Sequence, residues 1–187
     1  MKRIFDLLLC LVLLVPILFV AICVALVVRI FDGPKVLHWS KRVGRNNTIF
    51  LMPKFRSMSL NTPQVATHLL KDDSTQYVTF IGRVLRKTSL DELPQLYSVL
   101  KGDMSFVGPR PALFNQDDLV ELRTRKDVHL LYPGITGWAQ LNGRDEISIE
   151  QKVTLDREYL EKRSILFDCK IILMTAFNVF LAKDISH

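Results

Sequence analysis

Cysteine is scarce in this chain, and its placement excludes a disulfide framework. Of three cysteines, Cys10 and Cys23 fall inside one apolar run and Cys169 stands far downstream, a pattern unlike a stapled secreted scaffold and compatible with a reducing compartment. Histidine is equally thin. His38, His68, His129 and His187 have no zinc-ligand spacing, so surface or core roles account for them. Neither G-x-x-x-x-G-K-[ST] nor G-x-G-x-x-G occurs, which removes two glycine-rich phosphate cradles. Acid is in the minority: 19 Asp and Glu against 25 Lys and Arg give a net charge of +6 over 187 residues. That balance suits phosphate-rich partners, whether nucleotide, anionic lipid or nucleic acid. The length allows one domain, with or without a membrane element.

What is present begins with an uncharged apolar run, Leu7 to Val28, flanked by Lys2 and Arg3 before it and by Arg29, Lys35, Lys41, Arg42 and Arg45 after it. As a straight helix the run rises roughly 33 Å, the thickness of a hydrocarbon core. A single spanning helix is one reading. The other is re-entrant, because Pro16 removes a backbone hydrogen bond mid-run and bends the helix, and positive charge at both ends favours one membrane face for both. Charge alone leaves the two open. The run is too long for a cleaved signal peptide, and no A-x-A site follows it.

The chemistry concentrates in Thr88-Ser89-Leu90-Asp91-Glu92-Leu93-Pro94-Gln95-Leu96 and, shortly after, Phe106-Val107-Gly108-Pro109-Arg110-Pro111. Ser89 to Glu92 fits a capping box, and acidic residues suit a first turn; a structural role is therefore one reading of the carboxylates. Pro94 fixes where that helix begins. The two prolines around Arg110 restrict its backbone on both sides, and a pre-oriented guanidinium suits bidentate contact with phosphate. The second reading is a carboxylate nucleophile or metal ligand beside a phosphate clamp.

Around these motifs the spacing predicts a hairpin, Val36–Val43 and Thr48–Met52 around Gly44–Asn47, with Pro53 confining its second strand to an edge. Lys54 and Arg56 then face alike if the chain stays extended, either as solvated charges or as phosphate contacts. Asn61 to Ser74 reads as a connection. Tyr77 to Lys87 reads as a short amphipathic helix with a basic face, and Asn115 with Asp118 starts a helix running to about Leu131. Tyr132 to Arg144 reads as a glycine-rich loop in which Trp138 stacks or anchors and Arg144 is a candidate phosphate contact. Ser148 with Gln151 forms a capping box for a helix to about Lys162, with Asp156 either a surface residue or a support for the site. Ser164 to Ala182 is a largely apolar final helix, buried or seated at a membrane interface.

Asp91-Glu92-Leu93-Pro94-Gln95, Pro109-Arg110-Pro111, Lys54-Phe55-Arg56-Ser57-Met58 and the apolar N-terminal segment together resemble the small monotopic phosphoglycosyl transferases among the bacterial sugar transferases, in the expected order from about residue 1 to 180. The resemblance implies transfer of a sugar 1-phosphate from a UDP-sugar to a polyprenol phosphate such as undecaprenyl phosphate, through a covalent intermediate on Asp91 with release of UMP. It implies Asp91 and Glu92 as catalytic and metal-binding residues, Mg²⁺ as cofactor, and Arg110, Lys54, Arg56 and Arg144 as substrate and phosphate contacts. N-acetylated amino or deoxy sugars are the expected donors. The expected architecture is α+β: a mostly helical compact domain with a small β-hairpin over residues 32–187, a re-entrant helix kinked at Pro16 over residues 1–31, and interfacial amphipathic helices. The expected place is the bacterial cytoplasmic membrane, with the catalytic domain on its cytoplasmic face, against phospholipid and without nucleic acid; homo-oligomerisation stays open. Val15 precedes Pro16 where the family often carries serine, so no hydroxyl repairs the interrupted backbone. A membrane-anchored module that binds anionic ligands, or a scaffold, is the alternative, and it leaves Asp91 and Glu92 as caps.

Overall fold

The computed structural model describes residues 1–59, 62, 77–143 and 147–180. Helix α1, Lys2–Phe31, is 30 residues long and runs through Pro16 as one element. Among the described residues it alone is long and apolar enough to cross a membrane. Its buried residues cluster near the two ends, Asp6 and Cys10 at one and Val24 and Val28 at the other, while Leu11, Val12, Val15 and Phe19 between them are exposed.

Strands β1 (Leu37–Val43) and β2 (Ile49–Phe55) form the expected hairpin, pairing Leu37 with Phe55 and Val43 with Ile49. Asn46 and Asn47 turn it with φ of 54° and 58°, a region asparagine tolerates. β2 continues through Pro53 because the sheet has two strands, and an edge strand can spare an N–H. α2 (Phe80–Lys87) starts at Thr79, whose hydroxyl accepts from Gly82 N at 2.9 Å. Gly82 must lack a side chain: a Cβ there would lie 2.0 Å from the Ser57 carbonyl oxygen. A 3₁₀ turn, Leu90–Gln95, leads into α3 (Leu96–Lys101).

β3 (Ser105–Val107) then pairs in parallel with β4 (Gly134–Thr136). Between them, α4 (Asp117–Arg125) is shorter than the sequence suggested. Asp127 adopts φ 60° and the chain makes a separate 3₁₀ turn at Val128–Leu130; Arg157 secures the break by donating to Lys126 O at 2.9 Å and Asp127 Oδ2 at 3.3 Å. The break buries both Val128 and Leu131. The segment read as a glycine-rich loop is more ordered than expected, holding β4 and the short α5 (Trp138–Leu141). α6 (Ile149–Lys162) begins on the predicted Ser148–Gln151 capping box, and α7 (Ile165–Phe180) follows. Of Asn61 to Ser74, only Thr62 is described.

The fold is thus mixed, helices around two small sheets. Its largest core cluster joins Cys10 of α1 to Phe50 and Met52 of β2, Val99 of α3, Val107 of β3, Tyr159 of α6 and Ile171 of α7. A second cluster packs Val24 and Val28 of α1 on Phe55 and Leu85. α1 is therefore built into the body at both ends.

Candidate active site

Lys54 enters the site from β2. Register places His38 opposite Lys54 and Arg42 opposite Phe50, so these two β1 residues share the face of Lys54. The 3₁₀ turn brings the carboxylates to that face. Ser89 precedes it with φ 56° and makes no side-chain cap hydrogen bond, which overturns the expected capping box. The competing partners explain why: Glu92 Oε1 accepts from Lys54 Nζ at 2.8 Å and from Arg110 Nη2 at 3.1 Å. Two desolvated cations outbid one backbone N–H.

Arg110 is held by its backbone. Gly108 N donates to Thr136 O at 2.9 Å and Gly134 N donates to Pro109 O at 2.9 Å. Arg123 Nη1 donates to Arg110 O at 2.8 Å, and Arg42 Nη1 donates to Pro111 O at 3.2 Å. Arg123 is itself fixed by Asp156, whose Oδ2 accepts at 3.0 and 2.7 Å from Nε and Nη2. Every carbonyl of the Pro109–Pro111 turn thus has a partner, and the Arg110 guanidinium leaves a rigid base. Asp156, read from sequence as either a surface or a supporting residue, is buried and supporting.

Asp91 differs from its neighbour. It is 5% exposed, and its Oδ1 has no hydrogen-bond partner. Burial pushes its carboxyl above the usual range and Glu92 adds to this, while Lys54, Arg86 and Arg110 pull the other way. Burial also pushes the Lys54 ammonium down, opposed by Glu92. Burial, with Arg110 close by, pushes the Arg42 guanidinium down to about 10, so it stays charged at neutral pH. His38 is lowered by desolvation and by Arg42 and Lys54, which leaves a neutral imidazole at neutral pH. Arg86 donates from Nε to Ser57 Oγ at 3.0 Å and its charge reaches Asp91.

A hard cation fits this donor set in one way. Among the described residues no three His, Cys, Asp or Glu side chains group together, so the protein offers no complete cage. One or two carboxylates plus substrate phosphates suffice for Mg²⁺, and the orphaned Asp91 Oδ1 is such a donor. Glu92 Oε1 is already taken by two cations.

Of the residues marked out by sequence, Asp91, Glu92, Lys54 and Arg110 come together. Arg56 is placed elsewhere: β2 ends at Phe55, and the Arg56 guanidinium donates to Asp32 O, at the end of α1. Arg144 lies outside the described residues. Trp138, read as stacking or anchoring, is half-buried, donates from Nε1 to Glu158 Oε2 at 2.9 Å and packs its ring on Phe167 at 5.3 Å. Sequence reading missed His38, Arg42 and Arg123. The first two carried a signal, alternate spacing on a strand paired with Lys54; Arg123 carried none.

A family model described as bacterial sugar transferase matches residues 1–182. The uncharacterized sugar transferase EpsL of Bacillus subtilis is 41% identical over 189 residues, spanning 100% of this chain and 91% of its own. UDP-glucose:undecaprenyl-phosphate glucose-1-phosphate transferase of Escherichia coli is 39% identical over 191 residues, 98% of this chain but 41% of the relative. Undecaprenyl-phosphate galactose phosphotransferase of Salmonella typhimurium is 38% identical over 168 residues, 82% of this chain and 35% of the relative. The chain therefore spans nearly all of one relative and less than half of the other two.

Proposed function

The chain belongs to the bacterial sugar transferase family, and on that premise we propose that it is a phosphoglycosyl transferase that moves a sugar 1-phosphate from a UDP-sugar to undecaprenyl phosphate, with Asp91 as the nucleophile. The observation that carries this is the buried, unpartnered Asp91 Oδ1 among Lys54, Arg86 and Arg110. A buried acceptor without a donor costs on the order of 1–3 kcal/mol, and such costs persist where they serve chemistry. The reading of the carboxylates as caps loses support from the φ of Ser89 and its lack of a side-chain cap hydrogen bond; the binding-module alternative rests on the basic charge and is separated by the activity test below.

In the proposed reaction an Asp91 carboxylate oxygen attacks the β-phosphorus of the UDP-sugar. The bond from that phosphorus to the bridging oxygen breaks, UMP leaves with the electron pair, and the sugar phosphate stays on Asp91 as an acyl phosphate. A phosphate oxygen of undecaprenyl phosphate then attacks the same phosphorus, displacing the carboxylate and giving undecaprenyl diphosphosugar. Lys54 and Arg110 hold Glu92 and set positive charge where phosphoryl oxygens arrive. Asp91, with Glu92 beside it, would hold Mg²⁺ together with the donor phosphates, and that ion supplies charge neutralisation of the pyrophosphate.

The relatives are named for glucose and galactose, which puts neutral UDP-hexoses beside the N-acetylated donors suggested by resemblance. Re-entrant seating of α1 belongs to the same proposal. Its support is that both ends of α1 hold the same body: Asp6 accepts from Ser105 Oγ and Phe106 N, and Asp32 accepts from Thr79 Oγ1 at 2.8 Å and from Arg56. That body would then lie on the cytoplasmic face, with the exposed apolar residues of α2 and α7, Phe80, Leu166 and Phe177 among them, at the interface.

UMP release from UDP-glucose, UDP-galactose and their N-acetylated counterparts, with undecaprenyl phosphate and Mg²⁺ and with chelator as control, tests the activity. Release from at least one donor, lost in Asp91→Asn and on chelation, is expected; well-folded protein silent on the whole panel refutes the reading. Thiol labelling of Lys2→Cys in a Cys10→Ala, Cys23→Ala, Cys169→Ala background tests topology, and labelling from the periplasmic side excludes the re-entrant arrangement.

A further inference from the structure

Away from Asp91, a cavity of about 200 Å³ opens where the first turn of α1 meets the body, and its lining combines the cations Lys2, Arg3, Arg45 and Arg163 with apolar Met104, Val107, Leu130 and Leu131, the tyrosines Tyr132 and Tyr159, and Asp6. Lys2 is ion-paired with Asp168 at 2.6 Å, so Arg3, Arg45 and Arg163 stand against Asp6 and leave the lining net positive, which favours an anion. Asp6 is spent on Ser105 Oγ and Phe106 N at 3.0 and 3.2 Å, and Asp168 is spent on Lys2 Nζ at 2.6 Å and Tyr159 OH at 2.7 Å. The cations are positioned by other contacts. Arg3 Nη2 donates to Leu100 O at 2.8 Å, and Arg45 donates to Leu130 O at 3.0 Å while its guanidinium sits 4.8 Å over the Tyr132 ring. Arg163 is exposed and makes no ion pair among the described residues.

Size and place select the anion. Ligand-sized pockets run from roughly 300 Å³ upward, so this one suits a headgroup rather than a nucleotide sugar. It shares no lining residue with Lys54, Asp91, Glu92 and Arg110. Its lining takes Lys2, Arg3 and Asp6 from the polar first turn of the apolar α1, together with the exposed Leu130 and Tyr132, apolar and aromatic residues of the kind found at headgroup depth. We propose that this cavity binds the phosphate of an anionic phospholipid headgroup, with the glycerol carbons against Met104, Val107 and Leu131, and so fixes how the first turn of α1 sits in the bilayer. The inference rests on the membrane seating of α1 proposed above.

Native mass spectrometry of the full chain released from nanodiscs of phosphatidylglycerol and phosphatidylcholine tests it, with Arg163→Gln and the Arg45→Gln, Arg163→Gln double variant alongside. Each basic residue at a membrane surface adds an attraction that compounds with its neighbours, so the double variant should bind phosphatidylglycerol on the order of tenfold more weakly than wild type. The single variant should be intermediate, phosphatidylcholine should not be retained, and millimolar inorganic phosphate should not displace the lipid. Equal retention by wild type and the single variant, equal retention of both lipids, or displacement by inorganic phosphate overturns the proposal. Thermal unfolding of each variant guards against misfolding, and the single variant decides if the double one does not fold. UMP release from the same preparations reports on the catalytic reading alone, so the two fail separately.

Discussion

Asp91 and Asp156 are both buried carboxylates, 5% and 2% exposed, and burial pushes both upward in pKa. Their partners differ. Asp156 takes two hydrogen bonds from one guanidinium at 2.7 and 3.0 Å, and Arg123 passes that hold to the backbone of Arg110. Asp91 has an oxygen that nothing in the described chain satisfies. One carboxylate is consumed in building the site; the other keeps its Oδ1 uncommitted. A buried acid can therefore serve structure or chemistry, and the partner count separates the two more sharply than the pKa direction does.

The largest expected break in that comparison is Asp91→Asn. Sugar-phosphate transfer should fall by about 10⁴-fold or more, the scale on which nucleophile removal acts. The fold should gain. Asp91 has a folded pKa raised above its unfolded value, so the native state binds the proton more tightly, and stability falls as pH rises through that range. Above the raised pKa the cost is present, and Asn relieves on the order of 1 kcal/mol, a rise in Tm of a few degrees by calorimetry. Asp156→Asn should do the opposite, costing about 3 kcal/mol because it leaves the Arg123 charge buried and unpaired. Its loss of activity should track the freed Arg110 backbone, with part of the rate surviving in the folded fraction.

A smaller effect sharpens the electrostatics of Asp91 itself. The rate of UMP release should fall as pH drops through the raised Asp91 pKa, placing the acid limb above the ordinary carboxylate range. Lys54→Met removes a charge that lowers this pKa and should move the limb up; Glu92→Gln removes one that raises it and should move the limb down. Limbs that stay fixed in both variants assign the titration to another group. The smallest change is Thr79→Ala, which deletes the cap on α2 and the hydrogen bond to Asp32. It should cost about 1 kcal/mol in urea unfolding and leave the acid limb where it was.

The same contrast explains how far the sequence could be read. Ser148–Gln151 and Ser89–Glu92 carry equivalent capping signatures, yet only the first forms a box. Among the described residues no cation bonds to Gln151, whose side chain accepts from Ser148 N, whereas Glu92 meets Lys54 and Arg110 from strand and turn far away in sequence. Local pattern decides where tertiary charge is absent. The hairpin with its turn, the extent of the apolar α1 and the start of α6 were legible because hydrophobic period and turn chemistry agree there. α4 was read too long because what ends it, Arg157 reaching back to Lys126 and Asp127, is contributed by α6. Asp91 and Arg110 stood out by motif. The roles of Arg42 and Arg123 depend on which carbonyls the folded turn presents, and no spacing encodes that.

Intact-mass spectrometry of the purified protein with a reactive UDP-sugar and Mg²⁺, without undecaprenyl phosphate, tests the central claim most directly. An adduct of sugar-phosphate mass on wild type and none on Asp91→Asn, with UMP released in step and the adduct cleared on adding undecaprenyl phosphate, is the predicted result. UMP release without any adduct, or the same adduct on Asp91→Asn, contradicts it.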